Sequence, residues 1–327
     1  MTYAARIEAP SVEGLTTIAV FGCEPDEAAV FRELAGPLRF VPLLTADPVE
    51  VINVDLAAGS RCISIGHKTP VTRGTLRALR RAGVRYISTR SIGCNHLDVK
   101  YAEHLGLRVE NVSYSPDSVA DFTVLLMLMA IRHIRSILRR TDVHDYRLDA
   151  VRGRELRDLT VGVVGTGRIG TAVIDRLRGF GCRVVAYDKY SGDLEAVLRQ
   201  SDVVTLHTPL TARTHHLLDR RRIAQLKPGA FVINTGRGGL IDTPALVDAL
   251  EGGRLGGAAL DVLEGEEGIF YVDRRHDPID NDLLLRLHRL PTVVISPHTA
   301  YYTDHALRDT VENSVRNCLN FVKEHHG

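Results

Sequence analysis

The chain has 327 residues and a formal net charge of +1, room for two domains of ordinary size without the basic footprint of a nucleic-acid binder. With 44% hydrophobic and 25% charged residues, it has the composition of a globular protein. Its five cysteines are scattered, odd in number and without a C-x-x-C pair, which argues against a disulfide framework or a zinc site and for a reducing compartment.

The opening MTYAARIEAP lacks the apolar core of a secretory signal, and the densest apolar run, Phe122 to Ile131, is too short to span a bilayer; a cytoplasmic protein with no membrane contact is expected. From there the chain alternates strand and helix signals. Strands are predicted at Thr17–Phe21, near Leu38–Leu43, at Cys62–Ile65, Arg85–Thr89 and Leu107–Val112. Helices are predicted at Glu27–Leu34, from a Thr72 cap to about Ala82, and at Asp98–Leu105. Such alternation implies a parallel, doubly wound sheet. Ser115-Pro116 stops the pattern. Ser118-x-x-Asp121 then resembles a capping box opening one long, buried helix to about Arg140, followed by an irregular connection over 142–158.

A second series begins at Thr160. Val161 to Val164 is a buried strand, Gly165-Thr-Gly167-Arg-Ile-Gly170 follows directly, and Ile169, Val173, Leu177 and Phe180 then fall at helical spacing. The next strand, Val184–Tyr187, ends at Asp188. A lone G-x-G-x-x-G is weak, but between a strand and a helix, with an acid closing the following strand, it is a dinucleotide fingerprint. The helix N-terminus offers N–H groups and partial positive charge to phosphates, and a carboxylate at Asp188 accepts from ribose hydroxyls while repelling a 2′-phosphate. NAD is therefore the expected cofactor, with Lys189 leaving NADP open. Further elements are predicted at Leu194–Arg199 (helix), Val203–His207 (strand), Asp219–Leu226 (helix) and Ala230–Asn234 (strand). A helix from Thr243-Pro244 to Gly252, strands at Ala258–Val262 and Thr292–Ile295, and a last helix over Thr303–Lys323 complete the series.

Three polar groups follow strands of this second series, where open α/β sheets bind ligands. Arg237 lies in TGRGG after Asn234, Glu266 in EGEE after Leu263, and His298 in SPHTA after Ile295. The arginine fork suits a carboxylate, and a histidine passes a proton near neutrality. A carboxylate beside it fixes the ring's tautomer and favours the imidazolium. Glu264 and Glu267 compete with Glu266 for that part. The thirteen histidines other than His298 show no metal-ligand spacing, so no metal is expected; His207 is placed at the cofactor groove and His215-His216 at the surface.

The segments VGVVGTGRIG, HTPLTARTHHLL, LKPGAFVINTGRGGLIDTPAL, GAALDVLEGE and SPHTAYYT together resemble the D-isomer-specific 2-hydroxyacid dehydrogenases over essentially the whole length. The 237–266–298 spacing and EGEEGIFY resemble the D-lactate dehydrogenases of that family. FGCEPDEA, RRAGVRYISTRSIGCNHLD and SYSPDSVAD are similar to those found in vancomycin-resistance clusters. The resemblance implies a Rossmann NAD domain, 115–299, inserted into a flavodoxin-like substrate domain made of 1–114 and 300–327. It implies that Arg237 binds the substrate carboxylate, that His298 donates a proton, and that Glu266 keeps His298 charged. N–H groups around Ile92 and Gly93 would complete the carboxylate site, with Tyr114 and Tyr301 walling the pocket. Gly165, Gly167, Arg168, Ile169, Gly170, Asp188, His207, Thr208, Pro209, Thr235, Gly236, Asp261 and Ala300 would hold the dinucleotide. The expected activity is pyruvate reduction to D-lactate by a homodimer. A dehydrogenase for a bulkier 2-ketoacid and an NAD-sensing, corepressor-like binding protein are the alternatives.

Overall fold

The computed structural model describes residues 15–148 and 152–325; the expectation drawn from the opening decapeptide lies outside the described residues, as does the middle of the 142–158 connection. The chain divides into two compact units, one of Met1–Ser115 with Thr303–Gly327, the other Pro116–Tyr302.

The first unit opens with β1 (Thr16–Phe21), α1 (Pro25–Leu38), β2 (Phe40–Leu44), β3 (Cys62–Ile65), α2 (Arg73–Arg81), β4 (Tyr86–Thr89), α3 (Val99–His104) and β5 (Arg108–Asn111). Its strands form one parallel sheet in the order β2-β1-β3-β4-β5, the flavodoxin-like arrangement. β3 and β4 are buried throughout, as strands covered on both faces must be. Alternate residues feed two cores: Ile18, Val20, Cys62 and Tyr86 join the one shared by α1 and the C-terminal residues 311–322, whereas Ala19, Phe21, Ile63 and Ile87 join the one with α2 and α3. The strand expected at Leu38 starts two residues later. Arg39 takes a left-handed conformation (φ 55°) that caps α1 and turns the chain into β2.

The second unit holds α4 (Asp117–Ile131), α5 (Ile134–Thr141), β6 (Thr160–Val164), α6 (Arg168–Arg178), β7 (Arg183–Tyr187), α7 (Leu194–Gln200), β8 (Val203–Leu206), α8 (Arg220–Gln225), β9 (Ala230–Asn234), α9 (Thr243–Glu251), β10 (Leu255–Leu260), α10 (Asp282–Arg289) and β11 (Val293–Ile295). Its six strands are all parallel, ordered β11-β10-β9-β8-β6-β7. The order reverses beside β6, which creates the crevice where such sheets bind ligands at their carboxyl ends. The final helix, α11 (Asp304–Glu324), returns to the first unit and lays Val311, Val315, Cys318 and Phe321 against β1, β3 and β4.

Three expectations need correction. The single helix to Arg140 is two helices, because His133 adopts φ 52° and breaks the hydrogen-bond ladder after Ile131. No capping box opens it: the N-cap is Pro116, which has no side-chain acceptor to offer. The apolar run itself is largely buried as expected, Val124, Leu126, Met127, Ala130 and Ile131 among its covered residues, with Leu125 exposed on one flank. α10 was not anticipated, although Asn281 caps it and Leu284 and Leu287 anchor it at helical spacing. β10 begins three residues early, at Leu255. Its Gly256 and Gly257 are poor strand signals, yet Cβ atoms there would fall 2.5 Å from the backbone oxygens of Gly229 and Thr292. Among the described residues no helix is long and apolar enough to cross a membrane.

Candidate active site

The turn from β6 into α6 is set by three glycines with different reasons for being there. Gly165 has φ 98°, and a Cβ on it would meet the His207 backbone at 2.8 Å. A Cβ on Gly170 would lie 1.9 Å from the Gly165 oxygen, so the helix can approach the turn only without one. Gly167 is the opposite case: its φ is −68° and its Cβ direction meets nothing within 4 Å. Nothing in the chain demands glycine at 167. Gly167 also provides no side-chain cap for α6, so the first N–H groups of the helix keep their capacity for an anion.

The surrounding strand ends face the same turn. Asp188, just after β7, accepts from Thr166 N at 3.4 Å and Tyr190 N at 3.1 Å, which leaves carboxylate lone pairs for further donors. His207, just after β8, donates its N–H to the Val164 oxygen (2.7 Å), and its Nε2 lies 2.9 Å from Thr205 Oγ1. Burial pushes its pKa down to about 4, so the ring is neutral near pH 7. Next to it, Thr208 Oγ1 is buried with no hydrogen-bond partner among the described residues. Arg168 and Pro209 are exposed, and Ile169 is half-buried.

After β9 the Asn234 side chain closes the turn by donating to Arg237 O (2.9 Å) and accepting from Gly236 N (3.0 Å). Thr123 of α4 gives its hydroxyl proton to Val119 O (2.7 Å), so in its 2.8 Å contact with Thr235 it must accept. Thr235 Oγ1 thereby spends its proton and keeps lone pairs for an outside donor. Arg237 donates to Gly236 O (2.7 Å), and its guanidinium meets no carboxylate among the described residues. Gly238 lets this turn touch the next one, since its Cβ would stand 2.1 Å from Leu263 C and 2.3 Å from Glu264 N.

The last two strand ends hold His298. Asp261, fully buried after β10, accepts through its carboxylate from Ser296 Oγ (2.6 Å), Thr299 N (2.9 Å) and Ala300 N (2.9 Å), and through its backbone oxygen from His298 N (2.7 Å). Burial raises the Asp261 pKa, and these donors oppose the rise. They force the loop after β11 through a left-handed residue, His298 at φ 53°, a conformation that a non-glycine side chain keeps only when its surroundings hold it. Glu266 completes the clamp, taking the Leu263 N–H at 2.6 Å on one oxygen and His298 Nδ1 at 2.6 Å on the other. Tyr271, in the left-handed region itself (φ 65°), donates its hydroxyl to His298 O at 2.7 Å. Burial first, then the neighbouring Tyr301, Glu266 and Asp261, raise its phenol's pKa, so it remains a donor.

The structure thus brings Glu266 and His298 into direct contact and turns Glu264 elsewhere, towards His216 at 3.0 Å; Glu267 is exposed. The glycine turn, Asp188, His207, Thr208, Thr235, Gly236, Arg237, Asp261, Ala300 and Tyr301 all belong to the second unit. Ile92, Gly93 and Tyr114 belong to the first. There Ile92 O accepts from Asn111 and Gly93 O from Ser91, beside Arg90, whose buried guanidinium holds both oxygens of Glu27. Sequence reasoning missed Tyr271, Ser296 and Thr123. Tyr271 lies in the already suspicious EGEEGIFY stretch, whereas nothing local marks a serine or a helical threonine as part of a site.

Residues 124–300 match the family model described as "D-isomer specific 2-hydroxyacid dehydrogenase, NAD binding domain". The chain is 56% identical over 312 residues to a D-specific alpha-keto acid dehydrogenase of Enterococcus faecalis, covering 94% of this chain and 97% of that one. Among solved structures it is similar to a D-2-hydroxyisocaproate dehydrogenase, with a TM-score of 0.85 at 31% identity over 95% of this chain and 98% of that one. It is equally similar to a D-lactate dehydrogenase from Treponema pallidum, with a TM-score of 0.85 at 30% identity, over 94% and 97% of the two chains. The residues of the second unit fit an NAD cofactor: the open direction at Gly167, the orphaned Thr208 hydroxyl and the uncapped start of α6 all suit a phosphate-bearing ligand.

Proposed function

The chain belongs to the D-isomer specific 2-hydroxyacid dehydrogenases, and from that premise we propose that it reduces pyruvate to D-lactate. NAD(H), when bound, supplies the hydride; the rest of the chemistry falls to side chains. Arg237 takes the substrate carboxylate, for which a guanidinium with no carboxylate partner among the described residues is the natural fork. Ile92, Gly93 and Tyr114 of the first unit and Tyr301 of the second keep the substrate-binding assignment that the family resemblance gives them. With Nδ1 held by Glu266, His298 delivers a proton to the developing alkoxide from Nε2. Glu266 keeps the ring in that tautomer and stabilises its charge, and Asp261 fixes the loop that carries it. Preorganisation of this kind lowers the barrier by avoiding reorientation during the reaction.

For the dinucleotide we assign Gly165, Gly167, Arg168, Ile169 and Gly170 to the pyrophosphate and Asp188 to the adenosine ribose. His207, Thr208, Pro209, Thr235, Gly236, Asp261 and Ala300 are assigned to the remainder. The carboxylate of Asp188 supports NADH over NADPH. The likeness to the Enterococcus faecalis enzyme supports a VanH-type role, in which D-lactate feeds D-alanyl-D-lactate cell-wall precursors. Exposed Leu125, Ile137 and Leu138 on α4 and α5 support a homodimer.

The observation that carries this reading is the 2.6 Å Glu266–His298 contact on a loop pinned by Asp261. Initial rates with pyruvate, 2-ketobutyrate, 2-ketoisocaproate and phenylpyruvate, each with NADH and NADPH, test it. The highest kcat/KM is expected for pyruvate with NADH. A preference for 2-ketoisocaproate would replace pyruvate by a bulkier substrate, and NAD binding without turnover of any of them would overturn the catalytic reading.

A further inference from the structure

The loops after β8 and β10 bring together three side chains able to ligate a metal that the reaction above does not use. His215 and His216 are neighbours in sequence, and neighbouring side chains on an extended chain point apart. Here His216 takes φ 49°, with its N–H held by Gly239 O at 2.8 Å, and both imidazoles turn to one side. Their rings stack with centroids 3.9 Å apart and planes 26° from parallel. Both present Nε2 to one carboxylate: His216 lies 3.0 and 3.1 Å from the two oxygens of Glu264, and His215 lies 3.4 Å from Oε1. One ligand atom from each of the three falls within 4.8 Å of the others.

The nitrogen-to-carboxylate separations are close to those of a coordination sphere. Imidazole nitrogen and carboxylate oxygen bind Zn²⁺ at about 2.0–2.1 Å, so tetrahedral geometry separates neighbouring ligand atoms by about 3.3 Å. The N···O separations already bracket that edge, and the half-exposed rings leave solvent access for the remaining ligand positions. Two imidazoles and one carboxylate favour zinc, nickel or copper over magnesium or calcium, which prefer oxygen alone. We propose that His215, His216 and Glu264 form a binding site for a divalent cation of the zinc class. Such an ion clips the loop after β8 to the loop after β10, where Glu264 N packs against Gly238 and Glu266 follows two residues later.

The test is equilibrium dialysis of the chelator-stripped full chain against Zn²⁺ and, separately, Mg²⁺, with the bound metal quantified. One Zn²⁺ per chain and no Mg²⁺ is expected, with visible absorption of a low-coordinate complex when Co²⁺ replaces zinc. His215→Ala, His216→Asn and Glu264→Gln should each weaken Zn²⁺ binding by about tenfold or more. Asparagine is chosen at 216 because it tolerates the left-handed backbone, and exposed His215 keeps the test available if that variant does not fold. Glu266→Gln should leave Zn²⁺ affinity unchanged. Failure of the wild type to retain Zn²⁺ would mean a hydrogen-bonded cluster only. Loss of Zn²⁺ in Glu266→Gln with retention in the other three would move the ion to His298. Either result overturns the proposal, independently of any turnover measurement.

Discussion

Substituting alanine at two glycines of one turn should separate fold from binding. At Gly170 the new methyl would sit 1.9 Å from the Gly165 oxygen, and carbon and oxygen must part by more than another ~1 Å to reach contact distance. The obstructing atom is backbone in a turn tied to His207, so relief requires α6 to slide away from β6. Overpacking of this kind costs about 3 kcal/mol, and alanine's better helix propensity returns about 1 kcal/mol. A net loss of about 2 kcal/mol lowers Tm by roughly 4–8 °C for a unit of this size. At Gly167 the methyl meets nothing within 4 Å and the backbone is already at φ −68°. The cost there is that of an N-cap change, under about 1 kcal/mol, while the methyl enters the space assigned to the pyrophosphate. NADH affinity should fall at least about tenfold, equivalent to about 1.4 kcal/mol. Urea unfolding and NADH fluorescence titration on the two variants give the matrix. Wild-type stability in Gly170→Ala would refute the close approach of helix and turn. Wild-type NADH affinity in Gly167→Ala would refute the location of the pyrophosphate.

Four further expectations concern the remaining strand ends. Arg237→Lys should lower kcat/KM for pyruvate by about 100-fold, because a single ammonium cannot reproduce a planar fork; near-normal steady-state kinetics would remove Arg237 from carboxylate binding. Glu266→Gln replaces a charge-assisted bond of about 1.5–3 kcal/mol and should cost roughly 10- to 100-fold in kcat, with Glu264→Gln close to wild type. The reverse ranking would mean the wrong acid is assigned. His207, held neutral by burial with a pKa near 4, makes a stability contribution present above the ordinary histidine value of about 6.5 and lost as the pH falls towards 4. The difference is about 3 kcal/mol. Urea midpoints for wild type and His207→Gln should therefore converge or cross between those pH values, and parallel pH profiles would contradict the half-buried, neutral ring. Asp188→Ala should raise the NADPH/NADH ratio of kcat/KM, and an unchanged ratio would place the ribose elsewhere.

What the sequence determined by itself was local. Buried strands announce themselves as short apolar runs, and the spacing of Gly165, Gly167 and Gly170 between a strand and a helix is visible without knowledge of distant residues. The strand-end positions of Arg237, Glu266 and His298 were legible for the same reason. The break at His133 was not, because a left-handed residue just beyond an apolar run changes no periodicity. α10 was overlooked, its signal confined to little more than two turns after a long polar loop. The residues alone left Glu264 competing with Glu266, and the family resemblance singled out Glu266. The physical difference between them lies in the tertiary structure: two acids on one loop differ in what they face only once Leu263 N has drawn Glu266 towards His298. Glu264 was left to meet His215 and His216, which lie at the surface as the sequence reading placed them. Asp261 shows the same limit most sharply. Its three side-chain acceptor bonds reach across to residues 296, 299 and 300, because adjacent parallel strands bring their ends together whatever their separation in the chain. A hydrogen bond spanning that distance in sequence leaves no periodic trace, so only the fold could reveal what holds the histidine in place.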